Sequence, residues 1–172
     1  SIKDISDELI IIDDYSADDT IKIIKKIYPK AAISKRKLNN DFSAQRNFGI
    51  SKAKNRWILM IDSDEILTHH LKKEILEELK NPKHEAYTCI IKNYSLDKGN
   101  VTKLIRPILF TSSLKFKGTL HEQIDAQFGR FKGYIDHLSW VDCEDWLDDM
   151  NRYSTYWAKK WIAENRNWGK MK

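Results

Sequence analysis

Hydrophobic and polar positions in the first half of the chain alternate between strand-like and helix-like spacing. Uninterrupted apolar runs at 9–12 and 57–61 are typical of strands that a sheet buries on both faces. Each predicted strand is followed by residues with the 3.6-residue period of an amphipathic helix. The predicted strands are 9–12, 31–34 and 57–61, and the predicted helices lie between Ser16 and Pro29, over 43–54, and between Thr68 and Asn81.

The ends of these helices carry sequence signals of their own. Ser16, followed three residues later by Asp19, indicates a capped helix N-terminus. Thr68 is a second candidate N-cap, and Pro29 ends the first predicted helix because proline cannot continue the helical hydrogen bonds.

The pattern changes after residue 82. Two strand-like runs, 86–94 and 101–110, are joined by the hairpin signal at 97–100. Shorter strands follow, and an amphipathic helix over 145–166 ends the pattern. Without a repeat or a linker, the sequence predicts one domain over 1–172, with an α/β half (1–82) and a mixed half (83–172).

Composition excludes several classes of protein. The 172 residues are 41% hydrophobic and 32% charged, which is not the composition of a disordered or low-complexity chain. No apolar run exceeds five residues, whereas a membrane-spanning helix needs about 20. Cys89 and Cys143 lack metal-ligand spacing, which favours free thiols in a reducing compartment.

The net charge of +5 favours an anionic partner such as a nucleotide or a phospholipid, or simply a slightly basic surface. Acidic residues are interspersed with the basic ones throughout the chain. The clustering expected of a nucleic-acid-binding domain is therefore not seen.

Acidic residues follow two of the predicted strands. Asp13 and Asp14 come after the first strand, and Asp62 and Asp64 come after the run at 57–61. Ligands of open parallel sheets bind outside the carboxyl ends of the strands. Two carboxylates one residue apart can hold Mg²⁺ or Mn²⁺, although first-turn acids ahead of a helix would show the same pattern.

These segments resemble family 2 glycosyltransferases with the GT-A fold. Residues 13–20 (DDYSADDT) resemble the family's "DD-x-S-x-D-x-T" turn, and residues 57–65 (WILMIDSDE) resemble the approach to its Asp-x-Asp motif. Within the family, the lipopolysaccharide-core β-1,4-glucosyltransferase-like group is the most similar. The segments that carry this likeness are FSAQRN (42–47), KLIR (103–106) and FKGTLHE (116–122), and the likeness extends from about residue 7 to about 160.

The resemblance implies a fold and a reaction. The fold is α/β and GT-A (Rossmann-like), with a mostly parallel sheet, helices on both faces, an antiparallel second half and a C-terminal amphipathic helix. The reaction is metal-dependent, inverting transfer from a nucleotide-diphosphate-sugar, with a UDP-sugar favoured, to a saccharide or lipid-linked saccharide. A cytoplasmic role in cell-envelope polysaccharide synthesis follows. The family's first strand and K-N-E-like turn precede Ser1, so we expect a truncated chain.

The resemblance also assigns residues. Asp64 is the expected ligand of Mg²⁺ or Mn²⁺, Asp62 lies on the metal or the donor ribose, and Asp14 binds the base of the nucleotide. The expected general base is Glu122, with Asp142 as a weaker alternative. The remaining expected donor-binding residues are Gln45, Asn47, Arg106 (with Lys103) and His121.

Each assignment has a structural alternative. Asp14 could instead cap a turn, Arg106 could form a surface ion pair, and His121 and Glu122 could satisfy polar groups in a loop. Aromatic and basic residues of the last helix suit a membrane interface or an acceptor surface, but helical spacing also suits core packing. We expect at least one of Trp157 and Trp161 to be buried.

The residues alone also allow two other functions. A haloacid-dehalogenase-like phosphotransferase also ends apolar strands in Asp-x-Asp and Asp-Asp, although here the order is reversed and Ile66 replaces the usual Thr or Val. A catalytically inactive glycosyltransferase-like binding module is the other alternative.

Overall fold

The computed structural model describes residues 2–95, 100–118, 122–140 and 142–163. Nine strands and four helices lie within these ranges. The strands are β1 (Ile10–Asp13), β2 (Ala32–Lys35), β3 (Trp57–Leu59), β4 (Glu65–Leu67), β5 (Ala86–Ser95), β6 (Asn100–Thr111), β7 (Phe116–Lys117), β8 (Gln123–Ile124) and β9 (Phe128–Trp140). The helices are α1 (Thr20–Ile27), α2 (Phe42–Lys52), α3 (His69–Glu78) and α4 (Cys143–Ala163).

The strands form a mixed arrangement. β1 and β2 pair in parallel, β7 and β8 pair antiparallel, and a five-stranded sheet has the order β3-β6-β5-β9-β4. Within the described ranges only β1–β2 and β5–β9 are parallel pairs, so the α/β class is confirmed but the expected predominance of parallel pairing is wrong. The long antiparallel strands of the second half account for the difference.

The main core lies between α3 and the five-stranded sheet. Leu71 and Ile75 of α3 pack against the sheet residues Ile91 and Ile135, and all four are almost fully buried. Gly133 allows this close approach, because a Cβ at that position would lie 2.7 Å from the Cα of Leu71.

A second core connects α2 to the short β7–β8 pair. Ile50 of α2 is buried with Phe110, Phe116 and Ile124, and the rings of Phe110 and Phe116 meet edge to face with centroids 5.5 Å apart. The Asn47 side chain donates to the carbonyl oxygen of Phe116 and accepts from its N–H, both at 2.9 Å. β7, which begins at Phe116, is thereby anchored to α2.

The two capping predictions have different outcomes. The Thr68 hydroxyl accepts a hydrogen bond from the N–H of Leu71, as predicted. Ser16 does not cap α1, which begins only at Thr20; its N–H and hydroxyl instead donate to the carboxylate of Asp13. None of the α1 residues is buried.

The second half confirms the predicted hairpin strands and the last helix. β5 and β6 pair up to Ser95 and Asn100, so Asn100 of the predicted turn belongs to β6, while turn residues 97–99 and the predicted helix end at 164–166 lie outside the described residues. Trp157 and Trp161 of α4 are only partly exposed but neither is buried, so that expectation is wrong. Among the described helices, none is long and apolar enough to cross a membrane.

Candidate active site

Acidic side chains meet arginines just after β3. Asp62 lies three residues beyond the end of β3, and its N–H donates to the Glu65 carboxylate at 2.8 Å. The N–H of Glu65 donates in return to the carbonyl oxygen of Asp62 at 3.2 Å, so residues 62–65 form a tight turn. Arg106 of β6 reaches the same turn: Nη1 donates to Asp62 Oδ2 at 2.5 Å and Nη2 to both oxygens of Glu65, at 2.8 and 2.6 Å. Arg106 therefore fixes the turn that carries Asp62.

The electrostatics of this turn follow from burial and charge together. Burial acts to raise the pKa of Asp62, but the charges of Arg106 and Arg46 outweigh it and hold the pKa below its usual value. Burial likewise acts to lower the pKa of Arg106, and Asp62 and Glu65 reverse that effect and raise it. Both groups therefore carry their charges at neutral pH.

Arg46 of α2 joins this turn to Glu122. Its Nε donates to Glu122 Oε1 at 2.6 Å, and its Nη1 lies 3.3 Å from Asp62 Oδ1. The side chains of Arg46 and Glu122 are each only 16% exposed. One guanidinium thus connects a carboxylate from the second half of the chain to a strand end of the first half.

Asp64 faces a histidine. Its Oδ2 lies 3.0 Å from Nε2 of His137 on β9, and Nδ1 of the same ring lies 2.7 Å from Oδ1 of Asn93 on β5. Since the Asn93 amide donates to Thr102, its oxygen requires Nδ1 to carry a proton. The lone pair of a neutral His137 ring therefore points at a carboxylate, and the hydrogen bond to Asp64 raises the pKa of His137 despite the opposing effect of burial.

This facing pair suits a cation. A proton or a metal ion must separate the Nε2 lone pair from the Asp64 carboxylate, and imidazole nitrogen and carboxylate oxygen both ligate Mn²⁺. Asp62 fits a metal less well in this arrangement, because each of its oxygens accepts from an arginine. In the part of the chain that the structure describes, no three His, Cys, Asp or Glu side chains are grouped as a ready metal site.

The turn after β1 forms a separate part of the site. The buried Asp13 carboxylate accepts from Ser16, and this hydroxyl contact in particular lowers the pKa of Asp13. Asp14 Oδ1 accepts from the N–H of Leu38 at 3.0 Å, which ties this turn to the loop after β2. Tyr15, between Asp14 and Ser16 in the chain, adopts a left-handed φ of 59° and is 53% exposed.

Gln45 and Asn47 stand on either side of Arg46 but hold different segments. Gln45 Oε1 accepts from Arg36 Nη1 at 2.8 Å, and its amide nitrogen donates to the Arg36 carbonyl at 3.1 Å, in the loop after β2. Asn47 holds Phe116, as described above. The first contact supports the loop that also binds Asp14, and the second supports β7, the strand that pairs with β8 next to Glu122.

Three of the predicted residues, Asp62, Glu122 and Arg106, belong to one ion-pair network with Arg46, and Asp64, two residues from Asp62, contacts His137. Asp14 and Gln45 contact the loop after β2, Lys103 is exposed, and Asp142 is exposed beside the start of α4. His121 lies outside the described residues. Sequence reasoning missed Arg46, Glu65, Asn93 and His137, and only Glu65, which adjoins the Asp-x-Asp, and Arg46, which separates two predicted residues, had a positional signal.

Solved structures identify the class of fold. The chain resembles S. aureus TarS 1–349, with a TM-score of 0.55, 16% identity, and coverage of 82% of this chain and 53% of that one. It also resembles HddC from Yersinia pseudotuberculosis, with a TM-score of 0.52, 15% identity, and coverage of 85% and 78%. These are GT-A type glycosyltransferases, and at such identities the likeness establishes the fold.

Sequence comparison identifies the family. Residues 1–140 match the profile described as Glycosyl transferase family 2, and the chain belongs to that family. The SPbeta prophage-derived glycosyltransferase SunS of Bacillus subtilis is 33% identical over 125 residues, which are 72% of this chain and 30% of that protein. An uncharacterised glycosyltransferase of Rickettsia typhi is 26% identical over 192 residues, covering 100% of this chain and 65% of that protein. The chain thus spans about a third of the length of SunS and about two thirds of the length of the Rickettsia typhi protein.

Family membership sets aside the phosphotransferase alternative. The order of the acidic motifs already argued against it, and the profile match spans both motifs.

Proposed function

We propose that this chain transfers a sugar from a nucleotide-diphosphate donor to an acceptor hydroxyl, with inversion at the anomeric carbon. The observation that carries the proposal is the ion-pair network in which Arg46 joins Asp62, also bound by Arg106, to Glu122 from the second half of the chain, with the Asp64–His137 pair two residues beyond Asp62. Such transfer needs a donor site, charge neutralisation at the diphosphate and a base for the acceptor, and this network offers a group for each.

A UDP-sugar is the favoured donor. A structure of S. aureus TarS 1–349 in complex with UDP shares the fold with a TM-score of 0.50 and 15% identity. In this chain the Asp14 carboxylate keeps one oxygen without a partner among the described residues, while the other fixes the loop after β2. Asp14 is therefore suited to hydrogen-bond the base of the nucleotide, and Asp62 the ribose.

Asp64 and His137 would hold Mg²⁺ or Mn²⁺. A divalent cation there would neutralise the charge that develops on the leaving diphosphate. The chain's own contribution is to aim the two ligands: Asn93 fixes the His137 ring, and the turn closed by Arg106 and Glu65 fixes the backbone before Asp64.

Glu122 is proposed as the general base that takes the proton of the attacking hydroxyl. Glu122→Gln keeps the side-chain shape and removes the base, so turnover should fall by roughly 10²–10⁴ while donor binding is retained. Asp142 accepts from the N–H of Asp145 at the start of α4 and is the next residue to test if Glu122→Gln retains turnover.

A saccharide or lipid-linked saccharide of the cell envelope is the proposed acceptor, used at the cytoplasmic face of the membrane. Trp146, Leu147, Met150 and Ile162 leave apolar surface exposed along α4, which also carries basic residues in its last turns. Binding to anionic vesicles that high salt reverses would support a peripheral contact, and no binding would exclude it.

A thermal-shift panel of UDP-, GDP-, CDP- and ADP-sugars, each with and without Mn²⁺, tests the donor and the metal. A ligand at 100 times its Kd stabilises the folded state by about 2.7 kcal/mol. We expect a UDP-sugar to raise Tm in the presence of Mn²⁺, and Asp64→Ala to abolish that dependence while the exposed control Asp7→Ala keeps it. No shift with any donor would overturn the proposal; binding without turnover would favour the inactive module.

A further inference from the structure

We infer that Arg46 is a positioning residue that holds the Glu122 carboxylate in its working orientation; the inference rests on the proposed role of Glu122. The short contact from Arg46 Nε to Glu122 Oε1, at 2.6 Å, joins two side chains that are both 16% exposed. Charge-assisted hydrogen bonds of this length are the stronger kind, and exclusion of water strengthens them further.

Among the described residues, Glu122 depends on Arg46 alone. No other described side chain or backbone group forms a hydrogen bond or ion pair with its carboxylate, so Oε2 is left for another partner. Glu122 directly precedes β8, whose buried Ile124 holds the nearby backbone but leaves the orientation of the Glu122 carboxylate to its side-chain contacts. Without Arg46, this carboxylate would be free to sample several rotamers.

Asp62 does not depend on Arg46 in the same way. Arg106 already binds Asp62 at 2.5 Å, whereas Arg46 Nη1 is 3.3 Å from it. Further contacts hold the guanidinium group of Arg46 in place. Its Nη1 also lies 3.2 Å from the sulfur of Met60, and its guanidinium carbon is 5.7 Å from the centre of the Phe116 ring. The protein thus holds Arg46 firmly, and Arg46 holds Glu122.

The contacts of Arg46 set the position of the Glu122 carboxylate relative to Asp62, which follows β3 and is proposed to bind the donor. A base misplaced by about 1 Å can cost about 10²-fold in rate. The planar fork of Arg46 reaches the two carboxylates from different nitrogens, which a single lysine ammonium cannot reproduce. Arg46 therefore acts on turnover through Glu122 and not through the affinity for the donor.

A double-mutant cycle tests the inference, with UDP release from the sugar donor that the thermal-shift panel selects. Arg46→Met keeps the aliphatic stem against Phe116 and should lower kcat by about 10–10², with the donor Kd changed by less than about threefold. In the Glu122→Gln background the same substitution should have no further effect, since the group it positions is gone. Arg56→Met, which removes another arginine beside an aromatic ring at 5.9 Å, is the matched control and should keep wild-type kcat.

The outcomes separate this inference from the proposed function. If Glu122→Gln keeps full turnover, or no donor is cleaved, the proposed base and the role of Arg46 both fail. If Glu122→Gln lowers turnover but the two effects multiply, or Arg46→Met weakens donor binding as much as kcat, only the role of Arg46 fails. Should Arg46→Met not fold, Arg46→Lys replaces it, with kcat reduced in Glu122 protein and unchanged in the Glu122→Gln background.

Discussion

Asn93 decides which nitrogen of His137 faces Asp64. Its amide oxygen holds a proton on Nδ1, and Ser139 Oγ lies 3.2 Å from the same nitrogen. The other nitrogen is then free to bind a cation. Partners of this kind around metal-binding histidines are typically worth 10–100-fold in affinity.

Asn93→Leu should therefore weaken Mn²⁺ binding by roughly 10–100-fold without loss of fold. Titration of the protein with Mn²⁺, followed by electron paramagnetic resonance of the free ion, measures this directly and needs no substrate. Asn81→Leu, at an exposed position after α3, is the control. Equal Mn²⁺ affinity in both variants would show that Asn93 does not orient a metal ligand.

The two cysteines should differ sharply in reactivity. Cys89 is buried in the main core, and burial raises the pKa of its thiol to about 12, while Cys143 is exposed at the start of α4. At pH 8 only about one Cys89 in 10⁴ is a thiolate, which is the reactive form. A disulfide reagent should modify one thiol per native chain, at Cys143, and both thiols after unfolding in denaturant. Rapid modification of Cys89 in the native Cys143→Ser variant would contradict this.

At the scale of elements, α3 sits unusually close to β9. A Cβ on Gly133 would meet the backbone nitrogen of Leu71 at 2.8 Å as well as its Cα, and backbone atoms cannot move aside as a flexible side chain can. The contact explains how a helix of ten residues buries Leu71 completely.

Gly133→Ala should lower the free energy of unfolding by about 1–3 kcal/mol, since it forces α3 away from the sheet. Gly49→Ala is the matched control: its Cβ would meet only the Ile12 side chain, at 3.3 Å, and alanine favours the α2 helix. Urea unfolding of both variants measures the difference. Similar stability of the two would mean that α3 can shift at little cost.

Sequence patterns predicted most elements but missed β4. Glu65–Leu67 is only three residues long and directly precedes the Thr68 cap, so it has no visible period, and its partner on β9 is 72 residues away at Glu65–His137. The same distance hid the site: motifs marked Asp62, Asp64 and Glu122, whereas His137 gains meaning only when β9 lies beside β4. Local periodicity carries no information on such pairings.

At the scale of the whole molecule, the two halves share one sheet. β3 and β4 come from residues before 82, yet β3 pairs with β6 and β4 with β9. The core is likewise common, since Leu71 and Ile75 pack on Ile91 and Ile135. The halves that the sequence distinguishes are therefore expected to depend on each other for stability.

Separate fragments 1–82 and 83–172 should each lack cooperative unfolding, because each would expose the apolar face that the other covers. Circular dichroism melts of the fragments alone and mixed provide the measurement. A sharp transition in fragment 1–82 alone would show that its strands and helices form an independent unit.

The pairing of β4 with β9 also has a consequence for the nascent chain during translation. Leu67 leaves the ribosome 68 residues before its partner Ile135, a delay of roughly 3–14 s at about 5–20 residues per second. Until β9 has been synthesised, the apolar side of α3 can pack only on β5 and β6, and the Asp64–His137 contact cannot form. The nascent protein thus passes through an incompletely packed state whose duration is set by translation speed, and chaperones that bind nascent chains should raise its soluble yield.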